Sequence, residues 1–315
     1  MSDMDKISNG IYDYYLDHFD EMPFDNQFHF ASRLHLWCRD PRLAAILHDL
    51  RSEFTFNDNP AVAVEALIQK AKDTPVHGAK NAAKLRRPYF EKYPQLRTYV
   101  TVLFRLTFLQ NIYGLDARAL FYEHFPQAEV EVFADKLLAD TDAIAILSTH
   151  AINFLYLYER VIKQDDTSLN PAQFLNIGRT GYDVNDKMHL QLLIYLYTHC
   201  IIGESQFYYR SLPVDHLPAY RTMIQELETL ITERFDDINL DNKFEFLVAA
   251  QLVGTESSLA PAIWDEAGRS LSPEGTFIID THNGNPQTAN SGFAKSEHRN
   301  VLCIMADRQF QPTNS

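Results

Sequence analysis

Helix-start signals recur along this chain and constrain its fold more than any other feature of the sequence. Asp40 precedes Pro41 and Asn59 precedes Pro60, so each pair places a capping side chain before a proline in the first helical position. Alternating apolar and polar residues, which mark half-buried strands, are nearly absent, and residues 276–280 are the best short strand candidate. The sequence predicts an all-α fold of stacked helical hairpins, either an α/α toroid or an α-solenoid, with at most one short extended segment.

The strongly apolar helices are predicted to begin at regular intervals. They begin near residues 142, 187, 241 and 296, and intervals of roughly 45 to 55 residues suit stacked helix pairs. Self-similarity between these segments is weak, so a repeat and a non-repeating helical fold both stay open. Because residues 73–94 lack a firm helical pattern, we predict an N-terminal helical region, 1–93, and a larger helical domain, 94–315, or else one continuous domain.

The acidic balance of the chain disfavours nucleic acid as a partner. The net charge is −14 at pH 7 and the isoelectric point is near 5.2. Nonspecific binding to nucleic acid requires Lys and Arg side chains that neutralise phosphates, and we interpret the main basic segment, residues 80–92, as a solvated helix end or loop. No run of about 18 apolar residues occurs, so no membrane span is predicted.

The cysteines and the N-terminal residues favour a cytoplasmic location. Cys38, Cys200 and Cys303 are odd in number and widely spaced, which fits neither a disulfide framework nor a zinc ribbon. The N-terminal residues lack a basic leader followed by an apolar run, which argues against a secretory signal. With 315 residues, of which 46% are hydrophobic, the chain can bury its own core without disulfides or metals.

Two histidines lie within strongly apolar segments. His150 falls in residues 144–162, which the pattern predicts to be one continuous helix, and His199 falls in residues 192–210. Helical spacing places each histidine on an apolar stripe. Because a buried imidazole needs partners for its ring nitrogens, both should be hydrogen-bonded, metal-bound or facing a wet cavity. One interpretation is two packed core histidines; the other is one internal pocket where His150 and His199 act as general acid or base.

Four further residues are candidates for binding a polar substrate beside the two histidines. Arg179 is expected in a glycine-bracketed loop before the His199 helix, where a ligand could enter between helices, although plain solvent exposure explains it equally well. The other three lie on the same turns as the histidines or on adjoining turns: Asn153, Tyr195 and Glu204.

A divalent metal is the alternative use of these histidines. His150, His199, Asp280 and His282 offer the imidazole and carboxylate ligands that suit zinc. The spacing gives no support, since the sequence has neither an HExxH motif nor an ExxH pair on a helix.

Taken from the sequence alone, the function has two competing descriptions. The first is a soluble protein with an interior polar pocket around two histidines, an enzyme acting on a small polar substrate. The second is a non-catalytic helical scaffold that binds a protein or peptide partner. No GxSxG, P-loop or GxGxxG motif specifies a reaction, and the sequence indicates no oligomeric state.

Overall fold

The structure is a computed structural model that describes residues 3–73, 80–279 and 292–313. It is about 76% helical, with 16 α-helices and no strand in the described ranges. The α-helices are, in chain order, α1 (Asp3–Asp17), α2 (Phe24–Cys38), α3 (Pro41–Phe54), α4 (Pro60–Asp73), α5 (Lys80–Lys92), α6 (Leu96–Tyr113), α7 (Ala117–His124), α8 (Gln127–Leu138), α9 (Thr141–Leu147), α10 (Thr149–Leu157), α11 (Pro171–Thr180), α12 (Lys187–Glu204), α13 (Leu217–Glu233), α14 (Leu240–Val253), α15 (Ala260–Arg269) and α16 (Glu297–Asp307).

The predicted all-α class is confirmed. Helices α3 and α4 begin at Pro41 and Pro60, as the capping pattern predicts, and the Asp40 carboxylate accepts a hydrogen bond from the Arg42 backbone N–H at 2.9 Å. The extended pairing within the described ranges is a single antiparallel bridge between Leu271 and Ile278. The structure also forms a regular helix, α5, within residues 73–94, where the sequence pattern showed none.

The chain divides into two compact units. The first unit comprises Met1–Asp49 and Arg221–Ser315, and the second unit comprises Leu50–Tyr220. The boundary predicted between residues 93 and 94 falls inside the second unit, and the division into 1–93 and 94–315 stays a prediction.

Helix α10 forms the core of the second unit by packing against α6 and α12. Side chains around nearly the whole of α12 are buried, from Leu190 to Glu204. Three residues spaced one turn apart are exceptions, because Gln191, Tyr195 and His199 are partly exposed. A polar stripe therefore runs along α12, which is otherwise enclosed. Helix α5 packs against α9, so it too belongs to this core.

Helix α16 has the corresponding place in the first unit. It packs against α1, α2 and α14, and its side chains from Val301 to Met305 are fully buried. Both tryptophans of the chain, Trp37 and Trp264, belong to this unit and are buried.

No helix within the described ranges combines the length and the apolar character needed to cross a membrane.

Candidate functional site

The helix that carries His150 is interrupted just before that histidine. Helix α9 ends at Leu147 and α10 begins at Thr149, with Ser148 between them at φ 40° and ψ −104°. The prediction of one continuous helix over residues 144–162 was therefore wrong, and a π-helical segment, Tyr158–Lys163, departs from α-geometry a second time. A positive φ costs a non-glycine residue on the order of 1–3 kcal/mol, and such conformations concentrate at functional sites.

Contacts from other parts of the second unit accompany the break at Ser148. The buried Ser148 hydroxyl donates a hydrogen bond to the Leu192 carbonyl of α12 at 2.8 Å. Two carbonyls of α9 accept from side chains: the Ala145 carbonyl from the Tyr182 hydroxyl at 2.8 Å, and the Ile146 carbonyl from Nε of Arg86 at 3.3 Å. Carbonyls at the end of α9 thus have partners despite the break.

His150 occupies the first turn of α10 in an enclosed position. Its ring meets the ring of Phe90 edge-on, with centroids 5.2 Å apart, and its Nδ1 atom is buried without a hydrogen-bond partner in the described structure. Burial, followed by the positive charges of Arg86 and Arg97, lowers the pKa of His150 to about 4, so the imidazole is neutral at pH 7. The residue is partly exposed, although burial of its ring is the largest cause of the low pKa.

His199 lies beside His150 and is held by a residue of the same helix α10. Its Nδ1 is 2.7 Å from Oδ1 of Asn153, which is 7% exposed and lies one turn after His150. The charge of His199 also contributes to the low pKa of His150, so the two imidazoles are close in space. Tyr195, one turn earlier on α12, has its ring centroid 6.0 Å from that of His199. The structure thus brings His150, His199, Asn153 and Tyr195 together.

Arg86 is the residue of this site that sequence reasoning missed. The interpretation of residues 80–92 as a solvated end is wrong for it, because its side chain is only partly exposed and burial lowers the pKa of its guanidinium. The phenols of Tyr195 and Tyr182 act on that pKa, and no carboxylate of the described residues forms an ion pair with Arg86. The sequence offers one signal for this position: Arg86 lies one helical turn before Phe90, so the two side chains share a face of α5.

We use the name histidine recess for the group of partly exposed, neighbouring side chains that comprises Arg86, His150, Tyr195 and His199. Its charged groups are basic, because Arg86 and Arg97 both act on His150 and no carboxylate is among the groups that shift the pKa of Arg86. A guanidinium offers a fork of N–H donors that matches a carboxylate or phosphate. The recess is therefore chemically suited to an anion.

Glu204, a predicted substrate-binding residue, belongs to a different and fully buried cluster. Its two carboxylate oxygens lie 2.7 and 3.1 Å from Nε and Nη2 of Arg160, and it accepts a hydrogen bond from the Tyr220 hydroxyl at 2.8 Å. Nδ1 of His216 is 3.1 Å away. Glu204 lies five positions after His199 on α12, so its side chain points to a different side of the helix. Its partners explain its burial without a ligand.

The other predicted residues lie elsewhere. Arg179 is exposed in the last turn of α11, not in a loop. Gly178, which was expected to help form that loop, lies inside the helix and packs closely on Tyr197, where an added Cβ would lie 2.2 Å from the ring. Asp280 and His282 lie outside the described residues, and among the residues that are described no three His, Cys, Asp or Glu side chains are arranged to hold a metal ion.

Compared with known proteins, the chain matches no family model, no curated protein and no solved structure.

Proposed function

We propose that the second unit binds a small organic anion, a carboxylate or a phosphate, in the histidine recess. One observation carries this proposal. The partly buried guanidinium of Arg86 has no carboxylate partner in the described structure, and it lies beside a neutral imidazole, that of His150.

The charge of Arg86 supports an anionic ligand. Removing a guanidinium from water costs free energy that proteins normally offset with a carboxylate, a phosphate or a set of hydrogen bonds. Arg86 donates from Nε to the Ile146 carbonyl, which is neutral and does not balance the charge. The adjacent Arg87 shows the ordinary arrangement, since it is exposed and its Nε lies 2.9 Å from Oε1 of Glu91. A bound anion would supply to Arg86 what Glu91 supplies to Arg87.

Protonation of His150 would accompany binding. In the free protein, burial and the positive charges of Arg86 and Arg97 keep the pKa of His150 at about 4. A bound anion offsets those charges and favours the imidazolium, so it raises the pKa of His150 and proton uptake follows. Affinity should therefore increase as the pH falls from neutrality towards 4. An imidazole whose pKa is raised in this way is suited to general acid–base catalysis, which is the enzymatic form of the proposal.

His199, Asn153 and Tyr195 would position the ligand. Asn153 fixes the orientation of the His199 ring through the 2.7 Å contact, and Gln191 donates to the Tyr195 hydroxyl at 3.2 Å. These contacts hold two polar side chains of α12 in a fixed geometry next to His150, and fixed polar groups are what distinguish a small-molecule site from a packed core.

We propose a reducing, cytoplasmic setting, which is supported by three free thiols, of which those of Cys200 and Cys303 are buried.

Calorimetric titration tests the anion site. We would titrate inorganic phosphate and, separately, succinate into the wild-type protein, Arg86→Gln and the matched control Arg87→Gln at constant ionic strength. The wild type and Arg87→Gln should bind at least one of the two anions, and Arg86→Gln should bind it at least tenfold more weakly, about 1.4 kcal/mol. The two ligands distinguish a phosphate site from a carboxylate site.

The result that contradicts the proposal is equal affinity of Arg86→Gln and wild type, or no heat of binding for either anion. Repeating the titration at pH 6 in two buffers of different ionisation enthalpy measures proton uptake. Uptake should be present in the wild type and lost in His150→Gln.

A further inference from the structure

A second group of ionisable side chains lies in the first unit, where α2 packs against α16. Helix α2 contributes His29 and Arg33, one turn apart, and α16 contributes Glu297 and His298 from its first turn. Helix α2 packs against α16, so residues separated by more than 260 positions in sequence are neighbours. We call these four residues the Glu297 cluster.

Glu297 and His29 form a carboxylate–imidazole pair. Oε1 of Glu297 is 2.8 Å from Nδ1 of His29, and the side chains are 3% and 21% exposed. The Asn26 amide, one turn before His29, donates to the Ala294 carbonyl at 3.0 Å and reaches the second oxygen of Glu297 at 3.5 Å. A carboxylate held in this way against Nδ1 fixes the orientation of the imidazole, so the other ring nitrogen, Nε2, points away from Glu297.

His298 supplies a second imidazole next to His29. The ring centroids are 5.4 Å apart, and His298 is solvent-exposed although it is surrounded by charged and buried groups. Arg33 is close enough to act electrostatically on both Glu297 and His298. Two imidazoles, one with a carboxylate behind it and both near a guanidinium, form an arrangement suited to moving two protons around one reacting bond.

We propose that the Glu297 cluster is an acid–base catalytic site that hydrolyses a small ester, either a carboxylic ester or a phosphate ester. His298 and His29 are the proposed catalytic residues, and Glu297 is a positioning residue that acts through His29. Arg33 stabilises the negative charge that develops on the carbonyl or phosphoryl oxygen.

The reaction balances with water as the co-reactant. The water oxygen forms a bond to the acyl carbon or the phosphorus while one of its protons passes to the neutral His298. The bond from that carbon or phosphorus to the leaving oxygen breaks, and the leaving oxygen takes a proton from the His29–Glu297 pair. An acid and an alcohol result, and His298 returns its proton to the pair through solvent.

The protonation states fit these roles. Burial raises the pKa of Glu297 to about 7, against the lowering effects of His298 and Arg33, so near neutral pH the pair still holds a proton to donate. Crowding by neighbouring protein atoms, followed by the positive charges of Arg33 and His29, lowers the pKa of His298, so this exposed imidazole is a neutral base near pH 7. The charged and titratable groups that act on the two residues are His29 and Arg33 from α2, Asp241 and Glu245 from α14, and Tyr15 from α1.

Steady-state kinetics with chromogenic esters tests this site. The probes are p-nitrophenyl acetate, p-nitrophenyl phosphate and bis(p-nitrophenyl) phosphate, which separate carboxylic from phosphate esters. The full chain should hydrolyse one of them with a bell-shaped pH dependence of kcat/KM, with one limb below the ordinary imidazole pKa of about 6.5 and one near 7. His298→Gln and His29→Gln should each lower kcat about a hundredfold or more.

Glu297→Gln distinguishes a positioning role from a structural one. It should lower kcat with little change in KM and remove the limb near pH 7, while Glu297→Asp restores part of the rate. The matched control is His48→Gln, because His48 is a solvent-exposed histidine of the same unit with an 86% exposed side chain. Tryptophan fluorescence confirms that each variant is folded.

The proposal is overturned if the wild type hydrolyses none of the three probes. It is also overturned if His298→Gln and His29→Gln, while folded, retain the wild-type rate, or if His48→Gln lowers the rate as much as they do, since surface imidazoles then explain the hydrolysis.

Discussion

Replacement of Glu297 by Gln should stabilise the first unit at neutral pH even though it removes a hydrogen-bonded group. Burial raises the pKa of Glu297 to about 7 from its ordinary value of 4.5. A carboxyl whose pKa is higher in the folded state contributes stability that is complete below pH 4.5 and is lost as the pH rises through 7. Gln has the same shape, can still contact His29, and does not ionise.

The size of the effect follows from the pKa difference. A difference of about 2.5 pKa units corresponds to about 3 kcal/mol, at about 1.4 kcal/mol per unit. Glu297→Gln should therefore raise the free energy of unfolding by about 3 kcal/mol at pH 8, by under about 1 kcal/mol at pH 5, and by almost nothing at pH 4.

Denaturation followed by tryptophan fluorescence measures this difference. Trp37 and Trp264 both belong to the first unit, so their emission reports its unfolding and not that of the second unit. Urea titrations of wild type and Glu297→Gln at pH 5 and pH 8 give the two free-energy differences. A difference that is the same at both pH values, or a variant that is less stable at pH 8, would refute the reasoning about the buried carboxyl.

Three further predictions concern the second unit. The wild type should lose stability as the pH falls from 6.5 towards 4, because the low pKa of His150 disfavours its protonation in the folded state. His150→Gln should remove part of that loss, and urea unfolding followed by far-UV circular dichroism at both pH values measures the difference. Gly203→Ala should destabilise the second unit by about 1–3 kcal/mol, because its Cβ would lie 2.7 Å from the side chain of Tyr156. The control Gly10→Ala lies in the first unit, where the added Cβ meets nothing within 4 Å, and it should not destabilise; thermal unfolding compares both with the wild type. Glu204→Ala should lower the free energy of unfolding by about 3–5 kcal/mol, because it leaves Arg160 buried without its carboxylate partner. Adding Arg160→Met should recover part of that loss, as measured by urea unfolding.

The helical class was predictable because its signals are local. A cap followed by proline, or an apolar period of 3.6, acts within a few residues and needs no tertiary contact. The starts of α3 and α4 therefore fall at the predicted prolines, Pro41 and Pro60.

The break before His150 was not predictable in this way. Ser148 carries no helix-breaking signal, since neither glycine nor proline stands near it. Its conformation accompanies a hydrogen bond to Leu192, 44 positions away, and contacts of Arg86 and Tyr182 with the end of α9. Only the folded arrangement of α5, α9 and α12 brings these groups together.

In the candidate sites, too, the residues with local signals were predictable and those with long-range partners were not. Asn153 and Tyr195 could be named from the sequence because each lies one helical turn from a histidine. The Glu297 cluster could not, because His29 and Glu297 are 268 positions apart and neither stands in a recognisable motif. Local spacing identifies the neighbours of a residue on its own helix, whereas its partners on other helices follow from packing.

The most direct test of the anion site is the pKa of His150, measured by NMR from the ring signals of isotope-labelled protein with and without saturating phosphate or succinate. We expect the pKa of His150 to be near 4 in the free protein and higher when the anion is bound, with no such change in Arg86→Gln. A pKa near 6.5 in the free protein, or a low pKa that does not change while the anion is bound, would contradict it.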